Sequence, residues 1–526
     1  MAEGLELTRA QHARIALARW SGVAGLAAPL VLTALVYRGI LHTYFWADDF
    51  MCMLKIVDWG FFRFVFEPFA GHVPLLRNVV FDVTYQLFGL HASAFFAIVL
   101  LTHLANTWLV FRLVRTLTAS VLLAAFGATL WGASPLDAGA LGWYAVYGQV
   151  LLTTIVLAVL DRIARWRDDG PLPSRAMVAG WCGLMLAGVT CFGIGLAEAA
   201  VFPLVLFLLL PAAFRDPALR RGLLAFPVLV GASYVGLQRF YAACFTPPDA
   251  HEMFTRQSLF AGHPETISAM FWHLTLYGVS TTLVGFLHPL TYPSALACAA
   301  VATYFAVLVA GATAADARGR RRLLALGLLA LAAYASVAVG RAQLALMFGM
   351  APVRSAQQGR YHYLAPALAS CALCVALAHL RRWRSMRLLG AACLAAWLAG
   401  SISGYARSPW RIDARPAARQ YVESALATIN SVVDRSPSGS EVDLPNVPAS
   451  SPSVMGIRLD PHTFPGWAGV YAIAVPANVL RGRRVRFVER DRALVASFRT
   501  GGSRRMAELL ITPGEARNRP VGASPP

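Results

Sequence analysis

Long apolar runs separated by short arginine-rich connectors dominate the chain. The first is "WSGVAGLAAPLVLTALVYRGIL", Trp20 to Leu41, and about 20 apolar residues in a helix cross the hydrocarbon core of a bilayer. Further apolar runs follow at 92–111, 119–133, 147–160, 176–191, 196–212, 223–243, 293–313, 323–339, 364–380 and 388–404. The pattern predicts an all-α polytopic membrane protein with about 11 transmembrane helices. Arg9, Arg14 and Arg19 precede the first run. "RLVR" (112–115), "RIARWR" (162–167), "FRDPALRR" (214–221) and "HLRRWRSMR" (379–387) fall where inside loops belong. Positive charge gathers on the cytoplasmic side, so the N-terminus is expected there. The first run lacks a small-residue cleavage site and reads as a spanning anchor, not a signal peptide.

One segment resists the pattern. "ISAMFWHLTLYGVSTTLVGFLHPL" (267–290) holds two His and several Ser and Thr. If it spanned, the basic residues around Arg318–Arg322 would lie outside, so it is expected to be external and interfacial. The membrane domain is then 1–405, with an external segment at 42–90. The more polar remainder falls outside the membrane. Its β-like runs "RRVRFVER" and "ALVASF" predict a small α/β domain over 406–512, followed by a disordered tail at 513–526. No repeat of solenoid period is visible.

Composition sharpens this picture. The chain is 57% hydrophobic and 14% charged, where a soluble protein carries about 25% charged residues. A net charge of +19 would suit a nucleic-acid binder, but the arginines sit between apolar runs and not on one face, so nucleic acid is excluded as a partner. Lys55 is the only lysine, an arginine bias that reads as codon composition. Cys371 and Cys374 form a C-x-x-C inside an apolar helix, which is packing and not a redox or zinc site. Cys52 and Cys244 both fall in expected external segments, where a disulfide could join them.

Four places could carry chemistry. "FWADDF" puts Asp48 and Asp49 at the external mouth of the first helix, among Phe45, Trp46, Phe50 and Met51. Adjacent acids on an apolar rim raise each other's pKa or take a cation, and such a carboxylate can act as a general base. A solvated loop start is the plain alternative. After an interfacial stretch, "VDWGFFRFVFEPF", "GHVPLLRN" offers His72 and Arg77, whose fork suits phosphate. Glu198 stands at the external start of a span, where an acid serves function or simply a helix N-terminus. "RSAQQGRYHYLAP" holds Arg354, Arg360, Tyr361, His362 and Tyr363. With Arg341 it puts positive charge on the side where positive charge is disfavoured, which calls for an anionic partner. Acids and arginines on one external face suit a transferase with a phosphate-linked lipid donor.

The order of these motifs resembles the GT-C class of membrane glycosyltransferases, in particular the protein O-mannosyltransferase-like branch that includes the tetratricopeptide-bearing transmembrane mannosyltransferases. The likeness covers roughly 20–370. It rests on the acidic pair Asp48-Asp49, on "HVPLLRN" and a run ending "FGL", and on His103 and Asn106 in an "H-L-x-N" helix. It continues through Pro135, Trp143 and Gly148, then Glu198, and ends with "RYHYLAP" at Arg360–Pro366. The chain departs from the pattern with Ser134 in place of His, Gly139 in place of Glu and Gln149 in place of Arg. It also lacks the Lys before Glu198 and the tetratricopeptide repeats.

The resemblance implies a bacterial inner-membrane enzyme with a periplasmic C-terminus. It would move a sugar, with inversion, from a polyprenyl-phosphate donor to a glycan, lipid or protein acceptor. Asp48 or Asp49 would be the base, Asp48 preferred with Asp49 orienting it, or the pair would bind a divalent metal as in some members. Arg360 and Tyr361 would hold the lipid phosphate, with His72 and Arg77 near the same cavity, Glu198 lining it and His362 a further substrate-binding residue. Two other classes fit a polytopic chain with such charges: a transporter or flippase of lipid-linked sugars, and an inactive membrane scaffold of the same fold.

Overall fold

A chain in lipid must satisfy its backbone hydrogen bonds within each segment, and this chain does so with helices. The computed structural model describes residues 9–46, 48–69, 72–166, 172–245, 264–285, 292–347, 349–380, 419, 440–443, 484–490, 493–499 and 518–520. The long helices are α1 (Arg9–Tyr37), α5 (Ala92–Thr118), α6 (Val121–Gly132), α8 (Gly148–Ala164), α9 (Arg175–Val189), α10 (Ile194–Leu209) and α11 (Pro217–Cys244). After them come α12 (Pro264–Val284), α13 (Ala295–Ala314), α14 (Ala317–Met347) and α16 (Leu364–Leu380). Shorter helices sit between them: α2 (Asp48–Trp59), α3 (Phe61–Phe66), α4 (Leu75–Phe88), α7 (Ala138–Leu141) and α15 (Pro352–Ala356).

Among the described residues, seven helical segments are long and apolar enough to cross a membrane, and α9, α10 and α16 are shorter apolar helices beside them. Together these match ten of the eleven expected spans; the eleventh, 388–404, lies outside the described residues. Leu101, Leu224, Val228, Val309 and Leu324 are each more than 60% exposed on these helices. Side chains of that kind ring a bundle whose solvent is lipid, so the chain is a multi-pass membrane protein.

The bundle has two chemically different ends. At one, Arg112 and Arg165 share Asp161 at 2.9 and 2.6 Å, and Arg175 pairs with Asp216. Arg318 and Arg322 donate to the carbonyls of Trp166 and Leu117. Basic connectors that are far apart in sequence thus gather at one end. The other end carries α2 to α4, α7, α15 and the turn at 359–363. Helix α12 is not among the seven candidate spans. It packs against this second end, with Gly278 under the Tyr334 hydroxyl and the His362 ring and Gly285 under Pro135.

The external segment breaks at Gly60, whose φ of +74° suits glycine alone. The expected interfacial helix is therefore two helices, α2 and α3. On α3, Phe61 and Phe62 face outward while Phe64 and Val65 are buried. The suggested disulfide is not formed. Cys52 is a buried free thiol whose sulfur accepts from Arg77 at 3.1 Å, and Cys244 is a free thiol at the end of α11. Cys371 and Cys374 are free and buried, and Cys374 Sγ lies 3.4 Å from the Leu123 carbonyl, a packing role in α16.

Beyond the bundle lies a four-stranded antiparallel sheet of order β2-β3-β1-β4. Strands β2 (Arg484–Arg490) and β3 (Ala493–Arg499), the two β-like runs, form a hairpin, and β1 (Ser440–Asp443) pairs with β3. Strand β4 (Asn518–Pro520) pairs with β1, so part of the stretch expected to be a disordered tail is an edge strand. The rest of 406–526, helices of the expected α/β domain included, lies outside the described residues apart from Arg419.

Candidate active site

Helix α2 begins with the acidic pair, where the helix dipole favours negative charge. The two acids have different surroundings. Asp49 is fully buried, and its carboxylate accepts from the backbone N–H of Trp46 at 2.8 Å and of Ala145 at 2.6 Å. It ties the start of α2 to the turn before α8, which is structural work. Asp48 is partly exposed. Burial raises its pKa above the usual carboxylate range, and Arg360, Lys55, Arg77 and Arg341, in that order, pull it back.

Those four cations come from α2, α4, α14 and the 359–361 turn. Lys55 is paired with Glu67 at 2.6 Å, both buried, and its ammonium lies over the Phe69 ring. Arg77 is buried on α4, donates to Cys52, and its Nε has no hydrogen-bond partner. Its stem crosses Gly148, where an added Cβ would come within 3.2 Å of Arg77 Cγ. Arg360 lies over the Trp143 and Tyr361 rings at 5.0 and 5.1 Å and donates to the Tyr361 hydroxyl. Arg341 donates to His72 Nε2, so the His72 proton sits on Nδ1. His72 stacks on Phe192 at 4.4 Å, over Gly193, where an added Cβ would collide with the imidazole. Burial, then Arg341 and Arg77, push the His72 pKa well below its usual value, so the ring is neutral.

Among the described residues neither Arg77 nor Arg360 forms an ion pair. A buried guanidinium without a counter-ion costs several kcal/mol. The cluster therefore favours an added anion, and the orphan N–H groups of Arg77 (Nε), His72 (Nδ1) and Trp143 (Nε1) are donors suited to one. A divalent cation does not fit. Both Asp49 oxygens are engaged, four cations act on Asp48, and no group of three or more metal-ligating side chains occurs among the described residues.

The structure thus brings together Asp48, His72, Arg77, Arg360 and Tyr361 and adds Lys55, Cys52, Trp143 and Arg341. His362 is engaged otherwise. Its Nε2–H donates to the Ala356 carbonyl at 2.6 Å, and its Nδ1 accepts from Tyr334 at 3.0 Å. Burial holds its pKa down at about 4. It locks the turn that presents Arg360. Glu198 is fully buried on α10, and neither carboxylate oxygen has a hydrogen-bond partner. It is not among the groups acting on Asp48. Arg354 is exposed on α15.

The motif departures have local reasons. An added Cβ on Gly139 would lie 2.5 Å from Arg360 N and Gly359 C, so an acid cannot occupy this position while the turn stays where it is. Gln149 Nε2 donates to the Arg360 carbonyl at 2.6 Å. Ser134 caps the 3-10 turn at Pro135–Asp137 through Leu136 N–H. His103 and Asn106 lie in the core. His103 bridges the Gly132 carbonyl and the Tyr363 hydroxyl at 2.9 and 2.7 Å, and Asn106 donates to the Val150 carbonyl at 3.0 Å. Asp137 is wholly buried with neither oxygen hydrogen-bonded, and the His103 ring lies 4.0 Å away. An acid inside an apolar run was the signal for it.

No family model matches the chain, and no curated protein matches it. Among solved structures it is similar to ArnT from Cupriavidus metallidurans bound to undecaprenyl phosphate, at 16% identity and a TM-score of 0.48, covering 90% of this chain and 97% of that one.

Proposed function

We propose that the chain is a membrane glycosyltransferase of the GT-C kind that takes a sugar from a polyprenyl-phosphate donor. The observation that carries the reading is a partly exposed carboxylate, Asp48, acted on by Arg77 and Arg360, neither of which forms an ion pair with another acid among the described residues. Asp48 takes the proton of the acceptor hydroxyl. The freed oxygen attacks the anomeric carbon from the side opposite the phosphate, and the bond from that carbon to the phosphate oxygen breaks. Polyprenyl phosphate leaves with the electron pair, and one displacement inverts the configuration. The leaving phosphate gains negative charge in the transition state, where fixed guanidinium donors are most effective. Neutral His72 and the Trp143 indole N–H supply hydrogen bonds without competing for the proton. Asp49 holds the helix start in place. The active site would lie on the periplasmic side, opposite the arginine-rich end, by the positive-inside rule.

The test is transfer in membranes from a panel of polyprenyl-phosphate sugars. Wild type should consume one donor, and inserted, folded Asp48→Asn should lose about 10²- to 10⁴-fold. Consumption of no donor, or an Asp48→Asn variant as active as wild type, would sink the reading. A transport reading draws on one observation of its own: Glu198, inside the apolar helix α10, and Asp137, in the 3-10 turn between α6 and α7, are buried acids whose carboxylate oxygens have no hydrogen-bond partner. Movement of lipid-linked sugar across proteoliposomes that Asp137→Asn abolishes and Asp48→Asn spares would favour it.

A further inference from the structure

Arg77 is gripped at both ends of its side chain. At the stem, the N–H of the preceding Leu76 donates to the Thr190 carbonyl at 2.9 Å, and Arg77 Cγ lies against Gly148. At the head, Nη1 donates to Cys52 Sγ at 3.1 Å, while Nε has no hydrogen-bond partner. Cys52 is 3% exposed on α2, four residues after Asp48 and three before Lys55. That spacing puts the acid, the thiol and the ammonium on one face of the helix. The face that presents Asp48 is therefore also the face that holds Arg77.

A thiol suits this point better than the other side chains of its size. A carboxylate here would pair with Arg77 and neutralise the charge that a phosphate needs. An aliphatic group would leave Nη1 buried without an acceptor. A protonated thiol is small, largely apolar and still a weak acceptor. Burial raises the Cys52 pKa, although Arg77 and Lys55 pull against it, so the sulfur keeps its proton and the guanidinium keeps its charge. With Nη1 turned to the sulfur, the fork of Nε and Nη2 is the edge left for two oxygens of an anion. We propose that Cys52 is a positioning residue: it turns Arg77 so that the Nε edge meets the donor phosphate, and it does so without neutralising the guanidinium. The role rests on the transferase reading above, and Cys52 acts through Arg77.

The experiment is binding of a ten-carbon prenyl phosphate to the full-length protein in nanodiscs, with thermal melting to confirm that each variant is folded. Cys52→Ala should weaken binding about tenfold, and Cys52→Ser, which keeps an acceptor, should recover most of that loss. Cys52→Asp should weaken binding at least as much as Arg77→Ala, because the new carboxylate pairs with the guanidinium. A packing role would move binding whether or not Arg77 is present, so in an Arg77→Ala background Cys52→Ala should change nothing further. The role is overturned if Cys52→Ala binds as wild type, if its loss persists in the Arg77→Ala background, or if Cys52→Asp binds better than Arg77→Ala. Any of these results leaves the transferase reading standing where Arg77→Ala with Arg360→Ala abolishes binding. If that double variant binds as wild type, the transferase reading and the role of Cys52 both fall.

Discussion

The adjacent acids should separate cleanly when each is changed to its amide. Asp49 has no exposure, and each of its carboxylate oxygens accepts from a backbone N–H, at 2.6 and 2.8 Å. Bonds to an ionised acceptor contribute about 1.5–3 kcal/mol each. In Asp49→Asn one oxygen remains and the new amide turns a donor toward an N–H. One bond is lost and one buried backbone donor is stranded, together costing about 3 kcal/mol. For Asp48 the burial cost and the attraction of Arg360, Lys55, Arg77 and Arg341 oppose each other, so Asp48→Asn should change stability by less than about 1 kcal/mol. Thermal unfolding in detergent can be followed with a thiol-reactive dye in a background with the exposed Cys244 and Cys298 changed to Ser, because Cys371 and Cys374 are buried and become reactive when the bundle opens. Asp49→Asn should melt earlier, and Asp48→Asn should melt with wild type while losing transfer. If Asp48→Asn melted early, or Asp49→Asn melted with wild type and lost transfer, the two roles would be reversed.

Three further outcomes follow from the same geometry. The His362 pKa is lowered from 6.5 to about 4, so the unfolded chain binds a proton in that window that the folded chain refuses. Stability should fall as pH drops through it, by about 3 kcal/mol at full extent, and His362→Gln should flatten that slope in thermal melts at stepped pH. Asp48 is raised, so transfer should fail on the acid side at an apparent pKa above 3.8, a limb that His72→Gln leaves in place. Gly139→Ala should push the 359–360 backbone, since its Cβ meets Arg360 N at 2.5 Å. The cost is about 1–3 kcal/mol, with weaker binding of prenyl phosphate in an equilibrium assay; unaltered binding and melting would remove Gly139 from the account of Arg360.

Apolar run length made the helices legible, because in lipid the requirement for internal hydrogen bonds leaves few alternatives. The hairpin at 484–499 was legible from its β-rich runs. The short strand Asn518–Pro520 was not, since three residues ending in proline carry no strand pattern. At the site, the acidic pair marked the place and could not divide the roles. What separates Asp48 from Asp49 is a bond from Asp49 to Ala145, 96 residues away in sequence. Arg341 joins His72 across 269 residues, and no local pattern encodes such a contact. His362 was marked as a binding candidate by its place in "RYHYLAP"; its burial and its bonds to Ala356 and Tyr334, which no local pattern encodes, make it a lock on the turn that carries Arg360.

The departures from the glycosyltransferase pattern bear on the scaffold reading in a specific way. Gly139 and Gln149 stand where an acid and an arginine were expected, and both act on one segment: Gly139 lets the 359–360 backbone close in, and Gln149 holds the Arg360 carbonyl. Changes left by decay would be scattered, yet these two converge on the presentation of one guanidinium. Arg77 remains buried with an orphan Nε and no ion pair among the described residues. A chain free of selection for an anion would relieve that cost with a single substitution to a neutral side chain, since replacing buried charge with apolar groups is often stabilising. Keeping Arg77, Arg360 and the glycine and glutamine that position the second is the arrangement expected where a phosphate completes the cluster.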